Sequence, residues 1–470
     1  MKQHLRARLH GRCGRLILMG LCTIFVSAAN GQTLSLYDAV NKTIDNYPEI
    51  KRQEQELKAS QAHITTVAGN MLPSLRLMDE VNVASANSLP GSYLPLSVIP
   101  STSGAVRPEN NGQAASGNIA MSLLEWELYN FGYKQAEKSA ASAQMQVSKA
   151  NLSANKYVLS EQVIALYLDW LKKFRLLQIE QENLDRVSVA FNIIRATVIS
   201  GLKPGVDSST ASAQYAQSRI SYLQAYTDYK NEQITLATYT GLDTAMVKPD
   251  TAAVSLMLKA YPQAWNISDS VSDSHPILNV YEKQYQEQLA RNKATDKKYM
   301  PKLSLESAAW ARGSSISNTD QYADLQQGFG YSRYNYLVGL AVSYNLFDIK
   351  HRHDEHQENN FRMQAKEEAL KTAELNLNKA LQQANVAYQN TLDKLNELPV
   401  QLHSANDAYN QQLALYKSGL NTLIDLTNAQ YVLKQAETNF VITQDELLQL
   451  LHTRAGLSNQ LDLFLEKFKS

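Results

Sequence analysis

The run HRHDEH at 351–356 gathers His351, His353, His356 and Asp354 within six residues. Imidazole nitrogens and carboxylate oxygens are ligands for transition metals, and His353 and His356, three apart, share one face of a helix. The run lacks the complete ligand set of a closed metal site. It is therefore read first as a solvated polar helix start, with the three histidines kept as a metal candidate. The matching region of the first half, YKQAEK, has no histidine. No glycine-rich phosphate loop, nucleophile elbow or zinc-protease motif occurs, so no enzyme and no cofactor are expected.

A second set of reactive side chains sits in a repeated motif. ISGLKPGVDSSTA (199–211) and KSGLNTLIDLTNA (417–429) share Ser200/Ser418, Gly201/Gly419, Leu202/Leu420, Asp207/Asp425 and Ala211/Ala429 at an offset of 218. Each copy follows a long glycine-free helical tract, so each SGL is read as the tip where an outgoing helix turns back. Glycine relieves the φ restriction there, and Asp207 and Asp425 favour the positive ends of the returning helices.

The elements that carry these tips are duplicated too. Pro48/Pro276 and Pro73/Pro301 share an offset of 228, and LYNFG (128–132) matches LFDIK (346–350) at 218. The chain is read as a signal peptide, 1–31, a first repeat, 32–242, a linker, 243–272, a second repeat, 273–457, and a tail, 458–470. Ser35 and Asp38 begin the first helix as a capping box. Each repeat then holds two strands, about 73–86 and 116–128, then 301–312 and 332–346, and a helical hairpin, about 133–240 and 349–456. In the last strand Tyr334, Tyr336, Val338, Leu340, Val342, Tyr344 and Leu346 share one face, the alternation a membrane barrel strand needs. A half-buried soluble sheet would use the same pattern. Val163, Tyr167, Trp170, Phe174 and Leu177, with Leu381, Ala384, Tyr388, Leu395 and Leu398, fall at heptad spacing and predict coiled-coil packing. Pro399 is expected to kink the second tract.

Composition bounds the setting. Only 19 glycines and 12 prolines interrupt 470 residues, which allows very long helices. Lys2, Arg6, Arg8, Arg12 and Arg15 precede the apolar LILMGLCTIFVSA, a secretory signal expected to end before Gln32. Both cysteines, Cys13 and Cys22, lie inside it, so disulfides play no part in the mature chain. Without its five basic residues the chain carries a net charge of about −5, which argues against a nucleic-acid partner. No apolar run beyond residue 31 is long enough for a membrane helix, so any crossing is by strands.

Four strands cannot close a barrel, and open edges are not tolerated in hydrocarbon, so if the strands cross a membrane, chains must pool them. The duplicated order, the LSLYDAV opening (34–40) and the paired SGL…D tips resemble the TolC-type outer-membrane efflux proteins over essentially the whole mature chain. The resemblance implies a homotrimer with a twelve-stranded barrel in outer-membrane lipid and a periplasmic α-helical tunnel. It implies a passive exit duct working with a periplasmic adaptor (membrane fusion) protein and an inner-membrane transporter. Asp425 falls at the family's first acidic gate position, and Asn428 stands where a second acid is usual. Tyr416 and Asp207 match gate-stabilising positions, while Asn421 replaces a basic residue. A ring of carboxylates would favour cations, although an ordinary helix-start aspartate also accounts for Asp425. Gly201, Leu202, Gly419 and Leu420 are implied as adaptor-docking tips; turn geometry alone also explains the glycines. The competing reading is a secreted coiled-coil scaffold or adhesin without a pore.

Overall fold

The computed structural model describes residues 32–87, 109–243, 247–252, 255 and 267–469. The segment read as a signal, most of the loop between the two long strands of the first repeat and parts of the linker lie outside them. The chain enters as a short strand β1 (Gln32–Leu34), then α1 (Leu36–Asn46) and α2 (Pro48–Gly69). Ser35 caps α1 by accepting the Asp38 amide at 3.1 Å, and Pro48 opens α2 at a position whose amide needs no partner.

Strands β2 (Ser74–Ala84) and β3 (Ala115–Tyr129) follow, then the 67-residue α3 (Tyr133–Ile199) and its return α4 (Gly205–Thr240). After β4 (Val247–Pro249), parallel to β1, the plan repeats as α5 (Pro276–Lys298), β5 (Lys302–Ser314) and β6 (Arg333–Ser343). The 70-residue α6 (Asp348–Lys417) and α7 (Leu423–Leu457) complete the second hairpin. At 1.5 Å per residue α3 and α6 each reach roughly 100 Å. Helix α6 runs through Pro399, which cannot donate to the carbonyl four residues before it.

The four longer strands form one antiparallel sheet, ordered β2-β3-β5-β6. Register puts Leu77 opposite Ser122, Ala309 opposite Tyr336 and Leu305 opposite Leu340. One face therefore collects Leu75, Leu77, Val81, Val83, Tyr334, Tyr336, Val338, Leu340 and Val342. The other carries Arg76, Glu80, Glu125, Lys302, Glu306 and Arg312, with Arg76 paired to Glu125. Tyr336 is 85% and Val342 76% exposed in the single chain, so the apolar face is left for something other than this chain to cover. Among the described residues no helix is long and apolar enough to cross a membrane.

The main core lies midway along α3, where Val163, Ile164, Tyr167, Leu168 and Trp170 meet α1 and α7. Each such side chain, taken fully from water, contributes about 1.5–3 kcal/mol. Trp170 stacks on Tyr229 at 6.2 Å and meets Tyr167 edge-on at 5.8 Å. The Tyr167 hydroxyl donates to the Leu34 carbonyl at 2.6 Å and accepts the Asp250 amide at 3.0 Å, tying α3 to both short strands. The segment after residue 457, read from sequence as a tail, forms α8 (Leu461–Glu466). Its Phe464 and the following Phe468 are buried in this core.

Candidate functional site at the helical tips

Both tips have the same backbone. Gly201 at φ 76° and Gly419 at φ 77° sit just past the ends of α3 and α6. Leu202 N–H reaches back to the Thr197 carbonyl and Leu420 N–H to that of Leu415, each at 3.0 Å. Gly201 and Gly419 N–H close the inner bonds, to Val198 and Tyr416, at 3.0 and 3.1 Å. This is the Schellman arrangement, in which only glycine takes the left-handed position freely. The leucine beyond each glycine is left outside, 76% exposed at Leu202 and 77% at Leu420. Ile199, Val206 and Ile424 are exposed beside them.

The returning helices start differently. Thr422 and Asp425 form a reciprocal capping box: the Asp425 amide donates to the Thr422 hydroxyl at 3.3 Å and the Thr422 amide to the Asp425 carboxylate at 3.2 Å. The Asp425 carboxylate is thereby a half-exposed helix cap as well as a charge at the tip. Asn428, one turn on, is exposed. In the first copy Pro204 takes the cap position without a side-chain bond, and Asp207 lies in the first turn of α4.

Tyr416 joins the two hairpins. It is buried in a cluster with Ile194 of α3, Ala211 of α4, and Leu423 and Leu426 of α7. Among the described residues its hydroxyl finds no hydrogen-bond partner. Burial first, and the nearby Asp207 carboxylate second, hold its pKa above the ordinary tyrosine value. Lys203 places its ammonium over the ring, 5.0 Å from the centroid. The structure thus brings Tyr416, Asp207 and Lys203 together across the tips. Asn421, meanwhile, is occupied by Gln412 and by the Thr422 amide.

Lys203 escaped the sequence reading, although the 218-residue offset carries the signal: it maps Lys203 onto Asn421, so the cation absent from the second copy stands in the first. Higher on the trunk, Arg186 grips Glu437 through two bonds, 2.9 and 2.6 Å, and Lys434 meets Glu180 at 2.8 Å. These partly buried pairs fasten α3 to α7 above the tips.

The histidine run lies at the other end, at the start of α6. His356 bonds Asp296 through Nδ1 at 3.0 Å, and His351 stacks on Tyr299, 6.5 Å between ring centres. Asp354 pairs with Lys350 at 2.9 Å. Among the described residues no three histidine, cysteine or acidic side chains converge to hold a metal ion.

Two helical hairpins whose outgoing arms reach about 100 Å, joined to a sheet whose apolar face is largely uncovered, are the trunk and membrane sheet expected of an envelope channel protein. The family model described as outer membrane efflux protein matches residues 39–242 and 268–457, and the chain belongs to that family. It is an outer-membrane channel component of efflux systems, its trunk extending into the periplasm. Solved structures share the fold. CusC, described for conformational changes accompanying folding and transmembrane channel formation, aligns with a TM-score of 0.74 at 13% identity over 90% of this chain and 91% of its own. The Campylobacter jejuni CmeC outer membrane channel gives 0.71 at 12% identity over 92% and 89%. The Vibrio cholerae outer membrane protein VceC gives 0.69 at 13% identity over 90% and 96%. No curated protein matches the chain.

Proposed function

We propose that three copies close into one duct, a twelve-stranded barrel above a tunnel walled by six long helices and their six shorter returning partners, which passively conducts cargo from an inner-membrane transporter through a periplasmic adaptor. The carrying observation is the sheet: four strands alternating up and down, so that β2 and β6, its free edges, run in opposite directions. Copies joined edge to edge continue the antiparallel ladder without a break. Two copies give eight strands, whose interior side chains nearly fill, whereas three leave a water-filled lumen. Gly201, Leu202, Gly419 and Leu420 are the docking tips for the adaptor, supported by two apolar side chains held in water by identical turns. Asp425, Asn428, Tyr416 and Asp207 form the periplasmic gate, with Asp425 as its charged ring and Tyr416 as its seat.

The mass of the protein extracted from outer membranes in detergent tests this assembly. A particle of three chains supports the duct; a soluble monomer, absent from that membrane, rejects it in favour of a coiled-coil scaffold.

A further inference from the structure

The segment between β5 and β6 does not stand away from the sheet. It folds down over the end of the sheet remote from the helices, and on the apolar face. Ser116 and Asn118 of β3 lie on that face, opposite Val83 and Val81 in the ladder. The Ser116 hydroxyl donates to the Leu325 carbonyl, and the Asn118 amide donates to the Phe329 carbonyl at 2.9 Å. Tyr331 reaches further, donating its hydroxyl at 3.0 Å to Asp79, the one carboxylate among the apolar residues of β2's outer face. The Ser116 and Asn118 side chains, which would spoil a lipid-facing surface near its rim, are thus buried beneath this segment.

The fit is close at the backbone. A Cβ on Gly328 would lie 2.0 Å from the Ser116 Oγ, and one on Gly313 would lie 1.8 Å from the Gly330 oxygen. Ser116 and Ser315 are left only 2% and 1% exposed beneath it. Outward, the segment presents Leu325, Phe329 and Tyr331, each about two-fifths exposed. Residues 315–332 contain Asp320 and Asp324 but no lysine or arginine, so attraction to phosphate does not recommend the surface to a membrane; its apolar side chains do.

We propose that residues 315–332 form an interfacial anchor, laid against the outside of the barrel rim, that seats Leu325, Phe329 and Tyr331 in the boundary between headgroups and acyl chains of the outer leaflet. Aromatic side chains favour that boundary, because the ring can sit in the acyl region while a polar end stays wet. The anchor continues the apolar belt of Tyr334, Tyr336 and Val338 upward over strand positions that are themselves polar. It rests on that belt facing lipid, and the experiment separates the two ideas.

Because both cysteines lie in the first 31 residues, single cysteines in the mature chain take a nitroxide label cleanly. Labels at Phe329→Cys and Leu325→Cys are read in the full-length protein reconstituted into phospholipid vesicles, by collision with oxygen and with a water-soluble nickel chelate. Val338→Cys reports the belt, Ala341→Cys the opposite face and Asn318→Cys the exposed part of the segment. The anchor predicts that both test labels lose nickel access relative to Asn318 and gain oxygen access, as Val338 does. Test labels as open to nickel as Asn318, with Val338 still in lipid, would overturn the anchor while leaving the barrel standing. A Val338 label open to nickel would remove the belt and the anchor with it.

Discussion

Single buried ionisable side chains set how the trunk responds to pH. Burial alone pushes the Glu161 carboxyl of α3 up to about 7, where it lies against Gly456 of α7. Between about pH 4.5 and 7 the native state keeps a proton that the unfolded chain has released, so stability falls as pH rises, by about 3 kcal/mol in all. Burial, opposed by Lys172, likewise lifts Asp445 to about 6, with the same sign. His452 has the opposite sign: burial lowers it to about 4, so stability is lost as pH falls from about 6.5 towards 4. Glu161→Gln is therefore expected to raise the melting midpoint at pH 8 and flatten its decline between pH 5 and 7 in detergent. An unchanged slope would mean that the carboxyl is solvated. Tyr416 gives a second contrast. Its hydroxyl has no hydrogen-bond partner among the described residues, so Tyr416→Phe should change stability by less than about 0.5 kcal/mol, whereas Tyr416→Ala should cost roughly 3 kcal/mol by opening a cavity. Chemical unfolding of the two variants measures the gap, and equal losses would show that the hydroxyl bonds after all.

At the scale of elements, the two tips separate turn geometry from docking. A Cβ on Gly419 meets nothing within 4 Å, so Gly419→Ala is strained only by its φ of 77°, a cost of about 1–2 kcal/mol confined to the tip. Leu420→Asp disturbs no packing, since the side chain is already in water. It is expected to leave melting and assembly unchanged and to abolish export if the tip docks an adaptor; normal export would remove Leu420 from the docking surface. Much of this scale was legible in the sequence. The shared SGL…D run marked two turns because glycine past a helix end followed by a helix-start acid has few other uses, and Val163, Tyr167 and Trp170 announced the α3 seam by their spacing. The start of α7 was half legible: Asp425 marks a helix start, and T-L-I-D spells the capping box that Thr422 completes. What the pattern hid were contacts made between copies or by irregular backbone. Lys203 and Tyr416 are 213 residues apart. The hydrogen bonds from Ser116 and Asn118 that hold 315–332 on the sheet end on loop carbonyls, which have no sequence signature. Phe464 and Phe468 were unreadable for a related reason: a single short turn is too brief to show a helical period.

For the whole molecule, the decisive property is that one chain is an unfinished object. The sheet leaves a row of unpaired backbone groups along β2 and another along β6, and hydrocarbon offers them no water. Because the strand count is even and every neighbouring pair is antiparallel, β6 of one copy meets β2 of the next in the sense that the rest of the sheet already uses. That polarity lets copies join head to tail, each offering a different edge on either side, an arrangement that makes a ring where the rotation closes. A cysteine at Leu77 on β2, combined with one scanned along 336–342 of β6, tests the ring directly in a chain whose own two cysteines, Cys13 and Cys22, both lie far from the sheet in sequence. At the correct register, oxidation in isolated outer membranes should give a denatured-gel ladder that ends at three chains, with no band beyond. A ladder ending at two would mean an eight-stranded barrel with a filled interior, and the duct would have no lumen. Bands continuing past three would mean that the edges pair without closing.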